Sequence, residues 1–175
     1  MESYEVTNAK SGDLDDVAEI HVRSWRAAYH HVFPNSYLES ISVGARKKAW
    51  EAVLAEKRSD LLIARREARV VGFVSFGASR DLDAVSGRTG EIWALYVDPT
   101  EWGKGAGGTL WRGAEARLRR SDHQEITLWV LEANARALAF YERVGFTRDK
   151  HEPVVIERGG TTASEIRLVH GTGAE

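Results

Sequence analysis

The chain has no cysteine, only 3 prolines and a single methionine in 175 residues. Without a thiol there is no disulfide, no thiolate metal ligand and no cysteine nucleophile. No apolar run approaches the roughly 20 residues needed to span a bilayer. The opening residues, MESYEVTNAK, lack the basic start and apolar stretch of a secretory signal, so the expectation is a cytoplasmic protein with no membrane partner. An excess of one charge is also missing: 24 Lys and Arg stand against 26 Asp and Glu, a net −2. That gives no basic footprint for a nucleic acid. What is present, 43% hydrophobic and 29% charged residues, is the composition of one globular domain large enough for a single core.

Residues 4–8 alternate as a short strand. A helix is expected from the capping run Ser11-Gly12-Asp13 to about His30, because Leu14, Val17, Ala18, His21, Val22, Trp25, Ala28 and Tyr29 share one arc. Residues 35–40 suit a turn or two of helix, and Ser42 an N-cap for a helix reaching about Glu56. Residues 60–66 and 69–79 read as a hairpin around Glu67-Ala68, and 89–97 as a strand covered on both faces. A helix over 108–120, a strand over 125–131 and a helix over 134–144 follow, the last closed by Gly145 as a left-handed cap. Two strands near 154–158 and 164–169 flank Gly159-Gly160-Thr161-Thr162. The order β-α-α-β-β-β-α-β-α-β-β, with no repeat and no linker, predicts an α/β (α+β) single domain: one mixed sheet with helices on both faces.

Between the strand at 89–97 and the next helix lies VDPTEWGKGAGGTLW, with four glycines at 103, 105, 107 and 108. A Walker loop fails, because Lys104 sits between glycines with no Ser or Thr after it. The stretch also satisfies G-x-G-x-x-G, and Glu132 ends the next strand about where a ribose-binding acid would stand. Against a dinucleotide fold, residues 98–102 separate the first glycine from its strand, and too little chain follows Gly108. A plain helix-starting turn needs one glycine. Four cost backbone entropy, which makes sense where main-chain N–H groups converge on a phosphate or pyrophosphate, with Lys104 at the rim.

The flanking residues carry a resemblance. EIWALYVDPTEWGKGAGGTLW followed by LWVLEANARALAFYERVGF resembles the GNAT superfamily of acetyl-CoA-dependent N-acetyltransferases. The first signature is Leu95-Tyr96-Val97, Asp98-Pro99 and Trp102-Gly103-Lys104-Gly105-Ala106-Gly107; the second is 128–131, Asn134 and Tyr141-Glu142-Arg143-Val144-Gly145-Phe146. The order of elements matches throughout, so the resemblance implies one N-acetyltransferase domain over 1–170 with a frayed tail at 171–175, and a mostly antiparallel central sheet. The N-terminal SWRAAYHHVFP is similar to a bacterial branch of unassigned substrate. One position departs: Trp102 stands where the family usually has Gln or Arg.

The resemblance implies acetyl-CoA as cosubstrate. The amides of Gly103, Lys104, Gly105, Ala106, Gly107 and Gly108 would hold its pyrophosphate. Leu95, Tyr96 and Val97 would pair with the pantetheine arm and offer an N–H to the thioester carbonyl. Asn134 would bind pantetheine, cap the following helix, or do both. Tyr141 is the expected acid toward the thiolate, or else a packed aromatic beside Phe140. Glu91 resembles a family base acting through water. On an alternating strand it would share a side with Trp93, Leu95 and Val97, and the alternative is a surface Glu at a strand end. Trp25, Tyr29, Tyr37 and Trp93 are candidate acceptor-pocket walls, with core packing as the other reading for Trp25 and Tyr29. His21 reads as a core histidine. Adjacent His30 and His31 have no partner cluster, so no metal is expected. The activity implied is direct acetyl transfer to a small or amino-acid-like primary amine; rivals are peptide N-terminal acetylation and an acyl-CoA-binding module without turnover. Dimers are common in the family.

Overall fold

The computed structural model describes residues 4–171. Strand β1 (Glu5–Asn8) leads through a 3-10 turn into helix α1 (Leu14–Tyr29), followed by α2 (Asn35–Ser40) and α3 (Val43–Glu56). Then come β2 (Asp60–Arg66), β3 (Arg69–Ala78) and β4 (Thr89–Val97), helix α4 (Ala106–Arg120), β5 (Glu125–Leu131) and α5 (Ala135–Arg143). The short β6 (Thr147–Arg148), β7 (Val154–Arg158) and β8 (Thr161–Gly171) complete the described chain. The single sheet runs β1-β2-β3-β4-β5-β8-β6, with β7 also paired to β8. Among the described residues only β4–β5 is parallel.

This is the expected α/β architecture, including the turn or two of helix at 35–40, with three adjustments. A two-residue strand at 147–148 follows α5. Helix α4 begins at Ala106 rather than Gly108, because Gly105 already stands outside it at φ +101° as the N-cap. Strand β8 is longer than 164–169: only Gly159 and Gly160 turn the chain, both at positive φ, and pairing resumes at Thr161. At the other end Gly171, the first residue of the expected tail, still pairs with Glu125; 172–175 lie outside the described residues.

Helices cover both faces. On one, α4 and α5 pack Leu110, Trp111, Ala114, Leu118 and Tyr141 on Val71, Val74, Phe76, Ile92, Ile126 and Leu128. On the other, α1 and α3 pack Leu14, Val17, Ile20 and Trp50 on Leu61, Ile63, Val70 and Phe73. A smaller cluster, Val22, Tyr29, Phe33, Leu38, Ile41 and Leu131, ties α1 and α2 to the end of β5, with Ile156 and Ala163 packed on it. Much of these apolar sets follows from a helical arc or a strand alternation in the sequence, whereas Phe33 and Ile41 lie between helices.

One break in alternation matters for the site. Across β3–β4 the register passes from Ser75↔Ala94 to Phe76↔Ile92, leaving Trp93 as the extra residue of a β-bulge. Ile92, Leu95 and Val97 therefore all lie on the α4 side, whereas Ala94 and Tyr96 face α1 and α3. A Cβ on Gly90 would touch Leu118 of α4, so Gly90 and Ile92 share that face and Glu91 lies on the opposite one. The expectation that Glu91 shares a side with Leu95 and Val97 is thus corrected: the bulge shifts the phase between them.

Candidate active site

Strands β4 and β5 pair only at Thr89↔Glu125, Gly90↔Ile126 and Glu91↔Thr127. Beyond these, β4 continues to Val97 along β3, and β5 continues to Leu131 along β8, without pairing to each other. The sheet is split in a V whose two inner edges carry main-chain donors and acceptors. An extended ligand can enter such an edge as an added strand. Leu95, Tyr96 and Val97 lie on one arm of this split. The Val97 carbonyl is already taken, by Ser24 Oγ at 3.0 Å and by Trp102 Nε1 at 2.8 Å.

The glycine loop lies at the wide end. Gly103 and Gly105 have φ of +77° and +101°, conformations an L side chain rarely adopts. Gly107 serves packing instead: a Cβ there would lie 3.4 Å from the Phe140 ring. Lys104 N–H donates to Glu101 O, and Thr109 N–H to Gly105 O. The amides of Ala106, Gly107 and Gly108 form the unpaired first turn of α4, a donor cluster with the helix dipole behind it. Lys104 is less free than its exposure suggests, since its ammonium is 3.7 Å from Glu101. That carboxylate is buried and also faces Arg66 and Arg69, so the neighbourhood of the loop keeps a positive excess suited to an anion.

Trp102 does not point its indole at the loop. Its N–H caps Val97, its ring packs on the core, and the Arg136 guanidinium lies 4.1 Å over that ring. Trp102, Asn134 and Arg136 line one cleft of about 190 Å³ with Ala27, Ala28, His30, His31, Ala133 and Ala135. Asn134 does cap α5, accepting from Ala137 N–H at 3.1 Å, and its amide also donates to Tyr29 Oη at 3.1 Å. His30 and His31 sit at the cleft wall; among the described residues no group of three His, Cys, Asp or Glu could hold a metal ion. Tyr141 is buried in the α5 core beside Phe140 and Phe146. Every sealed polar side-chain atom among the described residues has a partner, yet the Tyr141 hydroxyl has no hydrogen bond among them, so it is not fully sealed. Burial pushes its pKa above the ordinary phenol range, with Tyr96 and Tyr29 adding to the effect, and the group stays protonated.

The opposite face, toward α1 and α2, holds the remaining candidates. Trp25 donates to Tyr96 Oη at 2.9 Å and stacks on Phe33, while Tyr29 is buried in that cluster, so both are packed and hydrogen-bonded at once. Tyr37 is half-buried against the β7–β8 turn, where a Cβ on Gly159 would fall 2.5 Å from Tyr37 Cβ. It also walls an open cleft of about 390 Å³ with Ser40, Ile41, Ser42, Ala45 and Arg46. His21 is a core residue: Nδ1 accepts from Trp50 at 3.2 Å and the ring stacks on Tyr96 at 4.9 Å. Desolvation, with Arg46 nearby, pushes its pKa down to about 3. Glu91 is buried rather than a surface residue, and Arg80 holds it through its main-chain N–H at 2.8 Å, Nε at 3.2 Å and Nη2 at 2.5 Å. The same guanidinium lies 4.3 Å over Trp93.

Two groups on this face escape a reading of the sequence. Arg167 of β8 gathers Asp81, Asp83 and Asp149, bracing the β3–β4 loop against the C-terminal strands. Glu165, two residues earlier, is half-buried opposite Leu131 and carries neither a hydrogen bond nor an ion pair among the described residues. Burial raises its pKa, opposed by Arg158. The alternation of β8 would have placed it on the face of Arg167, but nothing local distinguishes it from a solvated strand glutamate.

Comparison with known proteins gives the family and the fold. Residues 14–146 match the model of the Acetyltransferase (GNAT) family. The uncharacterised N-acetyltransferase YuaI of Bacillus subtilis is 33% identical over 139 residues, covering 78% of this chain and 76% of that protein. A spermidine N(1)-acetyltransferase of Thermoplasma acidophilum is 26% identical over 149 residues, 82% of this chain and 88% of its own. The crystal structure of the PaiA N-acetyltransferase of Thermoplasma acidophilum with coenzyme A has the same fold. Its TM-score is 0.75 over 97% of this chain and 99% of that one, at 20% identity.

Proposed function

The chain belongs to the GNAT family of acetyltransferases, and from that premise we propose that it transfers an acetyl group from acetyl-CoA directly to a small or amino-acid-like primary amine in the cytoplasm. The observation that carries this reading is a split sheet edge with a cluster of unpaired amides, the α4 N-terminus, at its wide end. A protonated Tyr141 hydroxyl with no hydrogen bond among the described residues supports it. The residues fit acetyl-CoA: the amides and positive surroundings of 103–108 suit a pyrophosphate, and the Leu95–Val97 arm suits an extended amide-bearing chain.

Arg136, held on Trp102, returns the positive charge that the family's Gln or Arg would bring from position 102. Asn134 binds at the β5 end while capping α5. Tyr141 supplies the proton for the leaving sulfur, a phenol kept neutral by burial being suited to donate. Glu91 stands where the resemblance implies a base, but its carboxylate is occupied by Arg80; it acts on the reaction through a displaced or water-bridged Arg80, or else orders Arg80 and Trp93. Trp25, Tyr29, Tyr37 and Trp93 line the acceptor side. A relative named for spermidine acetylation supports a small-molecule amine rather than a protein.

The test joins calorimetry with turnover. Wild-type protein should bind acetyl-CoA and release free thiol when polyamines, amino acids, aminoglycosides or short peptides are added. Tyr141→Phe should bind acetyl-CoA as tightly and lose about 10²-fold or more in kcat. Undiminished turnover in that variant removes the tyrosine from the mechanism, and absence of acetyl-CoA binding by wild type overturns the whole reading.

A further inference from the structure

The α1-side face of β4, β5 and β8 carries a surplus of acid, nearly all of it neutralised inside the protein. Glu91 is held by Arg80, and Asp81, Asp83 and Asp149 by Arg167. Glu165 is the exception among the described carboxylates of this face. Its neighbours Ile166 and Leu168 are in the α4-side core, whereas Ala163 packs with α1 and α2, so strand alternation turns Glu165 toward the acceptor side. Its position is fixed by pairing on both flanks, to Leu131 of β5 and Val154 of β7. Leu131 ends the β5 arm of the split, immediately before Asn134 and α5. Burial above all raises the pKa values of Tyr29 and Tyr96, and the charge of Glu165 adds to it in both.

A half-buried carboxylate with no hydrogen bond or ion pair among the described residues, and only the charge of Arg158 acting on it, is costly unless a ligand or water meets it. All sealed polar atoms among the described residues are satisfied, so the Glu165 oxygens are not sealed and remain open to water or a ligand on this face. We propose that Glu165, rather than Glu91, is the carboxylate that receives the acceptor's ammonium group and takes its proton before transfer. The inference rests on the acetyltransferase reading and deepens it by naming the base.

In this scheme Glu165 accepts one proton from R–NH3+, leaving a neutral amine whose lone pair forms the new C–N bond to the acetyl carbonyl carbon. As the C–S bond breaks, its electron pair stays on sulfur and Tyr141 protonates it. The second nitrogen proton restores the Tyr141 phenol, and Glu165 releases its proton to water. One proton leaves per turnover and no other reactant is needed. Burial keeps the carboxyl above the ordinary range, which brings its basicity closer to that of an amine.

The test uses two amines of similar size, ethylamine, which is charged at pH 7.5, and 2,2,2-trifluoroethylamine, which is largely neutral there. Acetyl-CoA affinity and thiol release are measured for wild type, Glu165→Gln and Glu91→Gln. Glu165→Gln should bind acetyl-CoA normally, lose about 10²-fold in kcat/KM with ethylamine, and lose less than about fivefold with the fluorinated amine. An equal loss with both amines indicates a merely structural role and overturns the proposal, as does an undiminished rate with ethylamine. The selective loss appearing in Glu91→Gln instead also overturns it. If Glu165→Gln does not fold, the same pair of amines is applied to Glu165→Asp, which withdraws the carboxylate by one methylene and should show the same selectivity. Failure of the wild type to bind acetyl-CoA or to release thiol with either amine removes the acetyltransferase reading itself, a result distinct from all of these.

Discussion

On the cofactor side of the split, the proposed ligand meets mostly main chain: the β4 edge, the amides of 105–108 and a loop bent by two glycines at positive φ. On the acceptor side it would meet side chains from five separated segments: Trp25 and Tyr29 of α1, Tyr37 of α2, Arg80 and its neighbours in the β3–β4 loop, Trp93 of β4, and Glu165 with Arg167 of β8. Main-chain recognition of that kind would survive substitution of neighbouring side chains, and would let Trp102 stand where the resemblance expects a polar residue. Side-chain recognition is open to change one residue at a time. The two halves teach that one fold can keep a fixed donor site while its acceptor varies.

The sharpest way to break this contrast is a pair of glycine substitutions, one on each side. Gly105→Ala forces an alanine to φ +101°, a strain of about 1–3 kcal/mol. Acetyl-CoA affinity by calorimetry should fall about tenfold, with the acceptor KM little changed. Gly159→Ala sets a methyl against Tyr37 and should do the reverse, raising acceptor KM several-fold while leaving acetyl-CoA affinity as in wild type. If both variants move both constants equally, the two halves are not separable.

Acid sharpens it next. His21 joins α1, α3 and β4 on the acceptor face and is held neutral, with a folded pKa of about 3 against 6.5 unfolded. Its contribution to stability is fully present above pH 6.5 and is lost as pH falls toward 3, by about 2 kcal/mol at pH 5. Denaturant midpoints between pH 7.5 and 5 should show this loss. His21→Asn, less stable at neutral pH, should show a correspondingly flatter profile, and a slope unchanged in that variant assigns it elsewhere.

The smallest effect is expected of Arg136→Ala. Removing one charge at the phosphate end should weaken acetyl-CoA binding about threefold and reduce its salt dependence, with no change in acceptor KM. An affinity equal to wild type leaves Arg136 as a cover for the Trp102 ring and nothing more.

The same contrast explains what the sequence made legible. The loop's glycines, the Asn134 cap and the Gly145 cap are local events, decided by residues close together in the chain, so they are visible in a string of letters. The acceptor side depends on distant pairs. Nothing near Trp93 announces the bulge that carries Glu91 to the other face from Leu95; it arises where β4 leaves β5 and stays with β3. Arg80 is one of many loop arginines until it closes on Glu91, and Tyr37 meets Gly159 only after the sheet is assembled. Glu165 reads as an ordinary strand carboxylate because its distinction is what it fails to touch.

The three residue pairs that join β4 to β5 leave the two halves of the sheet held together by an incomplete seam. A ligand lying along that seam supplies the hydrogen bonds of a missing strand, and since an unfolded chain offers it no such place, its binding energy is added to the stability of the fold. At a hundredfold excess over Kd that is about 2.7 kcal/mol. The concentration of the ligand then sets not only how fast the protein works but how long each molecule of it lasts.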